Sequence, residues 1–139
     1  MHRFTLRVRY GDTDQMGFAY YANYLRWFEI GRAELMRSLG RSYRDIEEDG
    51  VTLPVVEAHC HYHEPARYDD EVTIETGILA RRRASVRFAY RVVRDTDGKL
   101  LAHGETEHAY LDREGKPVRA PESLASLLDR APKVASAST

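Results

Sequence analysis

Hydrophobic positions follow two different periods in the first third of the chain. Residues 3–10 alternate between apolar and polar, which predicts a half-buried strand. From residue 23 to 39 the apolar positions recur every three or four residues, which predicts a helix of about four to five turns. Gly40 stands where the glycine that follows a helix is expected.

Strand-like segments dominate the rest of the chain. A short capped helix is predicted at 42–49, and the four predicted strands that follow are 53–62, 70–79, 84–93 and 100–111. Asp97-Gly98 is a hairpin signal, so the last two strands are predicted to be antiparallel neighbours. A closing helix is predicted from Pro121. We expect one domain over residues 1–130 and a flexible tail over 131–139.

The long helix carries two features that the main apolar stripe does not explain. Trp27 lies off the stripe, which indicates that a second surface of the helix is covered. Together with the long strands, this favours self-association. Arg32 lies inside the stripe, where an unpaired charge is costly, so Glu29 or an acid of the preceding loop is the expected partner.

Composition excludes several classes of protein. The 139 residues include 21 basic and 22 acidic side chains, a balance that argues against nucleic-acid binding through bulk charge. Cys60 is the only cysteine, so no intramolecular disulfide can form and a reducing compartment is favoured. The sequence has neither a signal peptide nor an apolar run of transmembrane length. We therefore expect a cytoplasmic protein that does not insert into a membrane.

Two carboxylates, Asp12 and Asp14, lie between the first strand and the long helix, followed by Gly17. The first backbone N–H groups of a helix have no intrahelical partner, so they can hold a carboxylate and stabilise a developing oxyanion. Alternatively, the two acids only form an Asx-turn and cap the helix. The residue pattern by itself leaves both interpretations open.

Three histidines, His59, His61 and His63, alternate along one predicted strand and so share a face. Three imidazoles are a zinc-ligand set, but same-face neighbours on a straight strand lie roughly 6–7 Å apart. An interface or a hydrated sheet face is therefore favoured, and no metal is expected. Cys60 points to the opposite face and is predicted to be a small core residue rather than a nucleophile.

Arg81, Arg82, Arg83 and Ser85 lie between two predicted strands. Such a cluster is usually a solvated turn, but three guanidinium groups and a hydroxyl also suit a phosphate. The sequence has no Walker loop and no Gly-x-Gly-x-x-Gly motif, so no ATP or dinucleotide cofactor is expected.

A longer motif joins the loop to the helix: Gly11-Asp-Thr-Asp14, Gly17, Tyr20-Tyr-Ala-Asn-Tyr24, Phe28-Glu29 and Arg32. Weaker motifs follow at Tyr62-x-x-Pro65-Ala66-x-x-x-Asp70 and Arg119-Ala-Pro121-Glu122. Together these residues resemble the 4-hydroxybenzoyl-CoA thioesterase family, over roughly residues 3–128.

This resemblance implies an α+β hot-dog fold, a long central helix wrapped by a five-stranded antiparallel sheet. It also implies dimers that join two sheets edge to edge, often paired into homotetramers, with active sites at the dimer interface. By motif position Asp14 is the catalytic acid, and the backbone N–H of Tyr21 is the oxyanion donor. Gly17 belongs to the substrate-binding part of the motif. The implied contacts with the nucleotide of coenzyme A are Arg81, Arg82, Arg83 and Ser85.

The expected function is hydrolysis of a short-chain or aromatic acyl-CoA, without a cofactor. Asp14 acts either as nucleophile or as general base, and the sequence does not separate the two. Many bacterial relatives have His in place of Tyr21, which leaves the acyl group open. The alternatives are a thioesterase acting on acyl carrier protein and a non-catalytic acyl-CoA-binding module; a binder would not need Asp14.

Overall fold

The computed structural model describes residues 1–137. Five strands and three helices follow one another: β1 (His2–Arg7), α1 (Asn23–Ser38), α2 (Tyr43–Glu48), β2 (Val55–Tyr62), β3 (Glu71–Arg81), β4 (Ser85–Arg94), β5 (Leu100–Ala109) and α3 (Glu122–Arg130). A single 3₁₀ turn, Tyr10–Asp12, lies between β1 and α1. All the helices and strands expected from hydrophobic periodicity are present.

The five strands form one antiparallel sheet in the order β1-β3-β4-β5-β2. The hairpin predicted at Asp97-Gly98 joins β4 and β5. Helix α1 packs across β3, which is the second strand in the sheet order. The α+β hot-dog arrangement that the resemblance implies is therefore confirmed.

A close approach between α1 and the sheet depends on one glycine. A Cβ atom added at Gly31 would lie 2.5 Å from Oγ1 of Thr76 and 2.7 Å from Cγ2 of Ile74, so a larger residue would push the helix off β3. Further along the interface the rings of Phe28 and Tyr90 stack with their centroids 4.4 Å apart. The stripe that the sequence predicts is thus the face that packs on the sheet.

Trp27 does not mark an intermolecular surface, contrary to the sequence-based interpretation. It is 3% exposed within its own chain, and its ring lies 4.7 Å from that of Tyr24. Helix α1 also contacts β1, so the second covered surface of the helix is covered by the same polypeptide. The argument for self-association therefore has to come from elsewhere.

The segment after α3 is packed rather than free over its described part, residues 131–137. The N–H of Ile78 donates to Pro132 O at 2.8 Å, and the N–H of Val134 donates to Ile78 O at 2.9 Å. β1 pairs with β3 only as far as Thr76, the partner of His2. Beyond that point the segment after α3 lies beside β3, with a bridge between Lys133 and Ile78. These contacts differ from the free tail that composition predicts; residues 138 and 139 lie outside the described residues.

β2 is an edge strand with an exposed surface. Of its eight residues only Cys60 is half-buried, and Val55 and Val56 are 48% and 58% exposed. Within residues 1–137, β2 pairs with β5 alone, so its other edge presents unpaired backbone groups. No helix in the described part of the chain has both the length and the apolar character needed to cross a membrane.

Candidate active site

Asp14 is held in a tight loop between the 3₁₀ turn and α1. Its N–H donates to Phe18 O and its C=O accepts from the N–H of Gly17, each at 3.0 Å. Oδ1 of Asp14 accepts from the N–H of Met16 at 2.9 Å. Gly17 adopts a φ of 87°, which few other residues tolerate. The carboxylate is half-buried, and its Oδ2 accepts no hydrogen bond from residues 1–137, so it is available to a ligand.

Asp12 has a different, structural position. Its Oδ2 accepts from the N–H of Arg9 at 2.8 Å, which closes the 3₁₀ turn. Its C=O accepts from Nδ2 of Asn23 at 2.7 Å and from the N–H of Tyr20 at 2.8 Å. These bonds tie the loop to the first residue of α1, so Asp12 has a structural role in building the loop.

The start of α1 is uncapped. The residue before the helix is Ala22, which has no side chain able to cap it, and the first turn contains no acid. Among the described residues, the N–H groups of Tyr21 and Ala22 donate to no backbone carbonyl. Asp14 forms the expected Asx-turn, because its Oδ1 accepts from the N–H of Met16 two residues on, but neither Asp12 nor Asp14 caps α1, so the cap part of that alternative is wrong. The free donors and the positive end of the helix dipole favour a negative charge at this place.

A pocket of about 250 Å³ opens beside the helix start. It is lined by Phe18, Ala19, Tyr21, Tyr24, Tyr62, His63, Glu64 and Pro65. The hydroxyl of Tyr62 donates to Tyr21 O at 3.0 Å, and burial raises the pKa of this hydroxyl, so it stays protonated. The wall is therefore aromatic and fixed in place by the same residue that offers the free N–H.

The weaker motif around Pro65 contributes this wall. The hydroxyl of Tyr24 accepts from the N–H of Ala66 at 3.0 Å, and the N–H of Ala19 donates to Ala66 O at 2.8 Å. Ala66 thus joins the loop, the helix and the segment that follows β2. Sequence reasoning recognised the motif but not the role of Tyr62, because the contact between Tyr62 and Tyr21 is long-range.

The arginine cluster lies at the opposite end of the sheet. β3 begins at Glu71, opposite Arg7 at the end of β1 from which the loop with Asp14 continues, and ends at Arg81. At about 3.3 Å per residue, eleven residues separate the two ends by roughly 33 Å. Asp14 lies on the loop that leads into α1 and Tyr21 lies just before the first residue of α1, whereas the cluster lies at the far end of β3 in the same chain.

Two of the three clustered arginines already have partners. Arg81 forms an ion pair with Asp129, and Arg82 forms one with Glu107. Within residues 1–137, Arg83 forms no ion pair and is exposed. Ser85 is the first residue of β4, and its C=O accepts from the N–H of Arg82 at 2.9 Å. Arg83 is therefore the member of the cluster that is free to bind an anion.

The alternating histidines meet a further histidine that sequence reasoning missed. His103 on β5 pairs with His61, and its Nδ1 lies 2.7 Å from Nε2 of His63. The pKa of His103 is lowered by burial and then by the neighbouring histidines His63 and His61. Among the described residues no three side chains of His, Cys, Asp or Glu are arranged to hold a metal ion.

Arg32 has no carboxylate partner within the described residues, so the expected pairing with Glu29 or a loop acid is wrong. Its Nη1 lies 3.5 Å from the hydroxyl of Tyr90, and its guanidinium lies 5.9 Å above the ring of Tyr43. The charge is accommodated by aromatic faces and a phenol rather than by an acid.

Known proteins are similar to the chain along most of its length. Residues 8–128 match the model of the thioesterase-like superfamily. A putative acyl-CoA thioesterase of Bacillus subtilis (strain 168), YneP, is 36% identical over 115 residues, 82% of this chain and 83% of that protein. The 4-hydroxybenzoyl-CoA thioesterase of Pseudomonas sp. (strain CBS-3) is 29% identical over 129 residues, 88% of this chain and 92% of that protein. The crystal structure of a hypothetical protein from Aquifex aeolicus superposes with a TM-score of 0.87 at 28% identity, over 92% of this chain and 99% of the other.

Proposed function

Because the chain belongs to the thioesterase-like superfamily, we propose that it hydrolyses an acyl-CoA to a carboxylic acid and free coenzyme A. The observation that carries the proposal is the free Oδ2 of Asp14 in a loop that leads directly to the uncapped start of α1. A carboxylate and unpaired N–H donors are the two groups that thioester hydrolysis requires.

The proposed reaction uses both groups at one carbonyl. The N–H of Tyr21 binds the carbonyl oxygen and stabilises its negative charge as the tetrahedral centre forms. Asp14 either attacks the carbonyl carbon, giving a mixed anhydride that water then cleaves, or removes a proton from the attacking water. In both routes the carbon–sulfur bond breaks and the thiolate of coenzyme A leaves. In the general-base route the new oxygen of the acid comes from water. In the anhydride route, with cleavage at the aspartyl carbon, it comes from Asp14, and the oxygen of water enters the Asp14 carboxylate.

The proposed substrate carries a small acyl group. The pocket beside Tyr21 measures about 250 Å³, which is below the usual range of sites for drug-sized ligands. Its aromatic wall suits either a short aliphatic chain or a single ring. We assign Gly17 to the substrate-binding part of the loop, because the space beside it is open to a ligand: a Cβ atom added there meets no atom within 4 Å.

We further propose that the active site is shared between two copies of the chain. Antiparallel pairing of β2 with β2 of a second copy places the β3–β4 end of one sheet beside the Tyr62 end of the other. Arg83 of one copy then reaches the phosphates of the substrate bound at Asp14 of the other, with Arg81, Arg82 and Ser85 shaping the loop. Exposed Val55 and Val56 support this pairing. A homotetramer in the cytoplasm, where Cys60 stays reduced, completes the proposal.

The test is thiol release from a panel of short-chain and aromatic acyl-CoA substrates, with Asp14→Asn as the decisive variant. We expect kcat to fall at least about a hundredfold, because a base or nucleophile is removed. Asp12→Asn is the matched control, since an amide oxygen still accepts from the N–H of Arg9, and its loss is expected to be much smaller. Near-normal turnover of Asp14→Asn would refute the assignment, and a non-catalytic binder would release no thiol from any substrate.

Single turnover in ¹⁸O-labelled water separates the two roles of Asp14. A nucleophile acquires the label in its own carboxylate when water cleaves the anhydride at the aspartyl carbon. A general base leaves the carboxylate unlabelled and puts the label only in the released acid. Mass spectrometry of the peptide that contains Asp14 measures the difference.

A further inference from the structure

Two tyrosines outside the active-site pocket form an unusually exposed pair. Tyr10 and Tyr68 are 79% and 60% exposed, yet their ring centroids lie only 5.8 Å apart. Exposed aromatic rings are costly in water, and these two rings, inclined by 54° to each other, form an apolar cleft in which a planar ligand can stack on one ring and contact the other. The two residues are far apart in the sequence, so the fold has to bring them together.

Backbone hydrogen bonds hold this pair in place. Asp69, next to Tyr68, has a φ of 71°, the only positive φ at a non-glycine residue within residues 1–137. Its N–H donates to Val8 O and the N–H of Val8 donates to Asp70 O, each at 2.9 Å. These bonds fix the strained loop beside the end of β1 and bring Tyr68 to Tyr10. A strained residue that persists in a fixed loop is typical of binding sites.

Unpaired positive charge lies next to the tyrosines. Arg9 lines a hollow of about 340 Å³ with Tyr10 and Tyr68, and it also lines a second hollow of about 330 Å³ with Arg26. Within residues 1–137 neither Arg9 nor Arg26 forms an ion pair, whereas the neighbouring Arg7 pairs with Asp69 and Glu71. The nearby Asp12 is held by the N–H of Arg9. Two guanidinium groups are therefore left for an anion.

We propose that Tyr10, Tyr68, Arg9 and Arg26 form a nucleotide-binding surface. The base lies against the tyrosine pair, and the phosphate is bound by the two arginines. A second copy of the chain fits this surface less well, because a two-fold contact would bring unpaired guanidinium groups of both copies together. The ligand chemistry has two sources. One is a free nucleotide, and the other is the nucleotide end of coenzyme A, which rests on the proposed function and would replace the phosphate contact proposed above for Arg83.

The chain contains its own probe for this surface. Trp27 is the only tryptophan, and it lines the second hollow together with Arg9 and Arg26. Isothermal titration calorimetry with adenosine 3′,5′-bisphosphate measures the affinity, and the emission of Trp27 locates the binding. We expect a change in Trp27 emission that saturates with the calorimetric isotherm and an affinity that falls as salt rises.

Variants identify the residues involved. Arg9→Gln, Arg26→Gln and Tyr68→Ala are each expected to weaken binding of the bisphosphate about tenfold. Arg44→Gln is the matched control, because Arg44 is an exposed arginine on α2 whose ion pair within residues 1–137 is with Glu48. We expect this variant to bind the bisphosphate with the affinity of the wild type. Circular dichroism and the unfolding midpoint verify that each variant is folded.

Three results would overturn the proposal: no binding to the folded wild type, equal affinity in all variants, or loss of binding only in Arg83→Ala. Loss of oligomeric mass in Tyr68→Ala, without nucleotide binding to the wild type, would identify the surface as an interface instead.

Kinetics then separate the two sources. If the ligand is the nucleotide end of the substrate, Arg9→Gln raises KM for acyl-CoA severalfold and leaves acyl-pantetheine unaffected. If the ligand is a free nucleotide, the bisphosphate changes the turnover of acyl-pantetheine in the wild type, and Arg9→Gln removes that effect. An enzyme inactive on every thioester would refute the proposed function but leave the calorimetric test of this surface intact.

Discussion

His108 is the buried group whose protonation most directly opposes folding. It is fully buried, its Nδ1 lies 2.9 Å from Leu53 O, and its Nε2 lies 2.8 Å from Oγ1 of Thr106. Burial, and next the charge of Arg32, lowers the pKa of His108 to about 4. The neutral ring is thus part of a hydrogen-bonded chain that continues from Thr106 to the hydroxyl of Tyr90.

This lowered pKa predicts a loss of stability in mild acid. In the unfolded chain His108 binds a proton below a pKa of about 6.5, whereas in the folded chain it stays neutral down to about pH 4. As the pH is lowered through that window, the contribution of His108 should reduce the free energy of unfolding by up to about 1.4 kcal/mol per pH unit. Urea unfolding near pH 7 and near pH 5 measures the slope. His108→Gln should be less stable near pH 7 but show a shallower slope, and equal slopes would contradict the assignment.

Single residues differ in how far the sequence reveals them. Asp14 and Tyr21 were identified by motif, and the uncapped helix start beside them supports the choice. His103 was missed because its contact with His61 depends on the register between β2 and β5. The predicted partner of Arg32 was wrong because sequence reasoning considers nearby acids, such as one a turn away on the same helix. The observed contact, the phenol of Tyr90, comes from a strand that is distant in sequence.

At the scale of elements, the contact between α1 and the β2–β5 pair depends on Gly104. A Cβ atom added there would lie 2.2 Å from His59 O and 2.7 Å from a ring carbon of Phe28. One contact is with the backbone of β2 and the other with a side chain of α1, so neither can move away cheaply. β2, which we propose to join two copies, is therefore positioned by a residue on its neighbour.

We predict that Gly104→Ala destabilises the chain by at least about 2 kcal/mol, because the added methyl group overpacks this contact. Gly11→Ala is the matched control for stability, since a Cβ atom there meets nothing within 4 Å. Chemical denaturation of both variants measures the difference. Equal unfolding midpoints would mean that β2 and β5 separate without cost at this point.

Periodicity predicted the elements well but not how they are arranged. The positions of α1 and the strands follow from local patterns. The order β1-β3-β4-β5-β2 does not, because β1 pairs with β3 across a long intervening segment. The apolar stripe of the helix predicts that a sheet covers it, and the family resemblance implies the hot-dog fold. Packing of residues 131–137 was also missed, since the segment has no strong pattern and is held chiefly by two backbone hydrogen bonds to Ile78.

At the scale of the whole molecule, one chain alone does not assemble the proposed site. The free Arg83 and the loop that carries Asp14 lie toward opposite ends of β3, a strand about 33 Å long. If the exposed edge of β2 pairs with β2 of a second copy, Arg83 of one copy comes close to Asp14 of the other. Light scattering at micromolar concentration should therefore give at least the mass of a dimer, and a monomer would contradict the shared site.

Mixing two defective variants tests the shared site directly. Asp14→Asn is expected to be inactive, and Arg83→Ala is expected to have a severalfold higher KM for acyl-CoA because a phosphate contact is lost. In a mixed dimer, one site combines Asp14 of one copy with Arg83 of the other, both unaltered. An equimolar mixture that exchanges freely should therefore contain about one quarter unaltered sites.

The expected result is turnover at low acyl-CoA concentration that exceeds the average of the two variants measured separately. If Asp14 and Arg83 of the same copy served one site, every mixed dimer would contain only singly altered sites, and the mixture would match that average. The same mixture assayed on acyl-pantetheine is the control, because without the nucleotide Arg83 contributes nothing and no gain is expected.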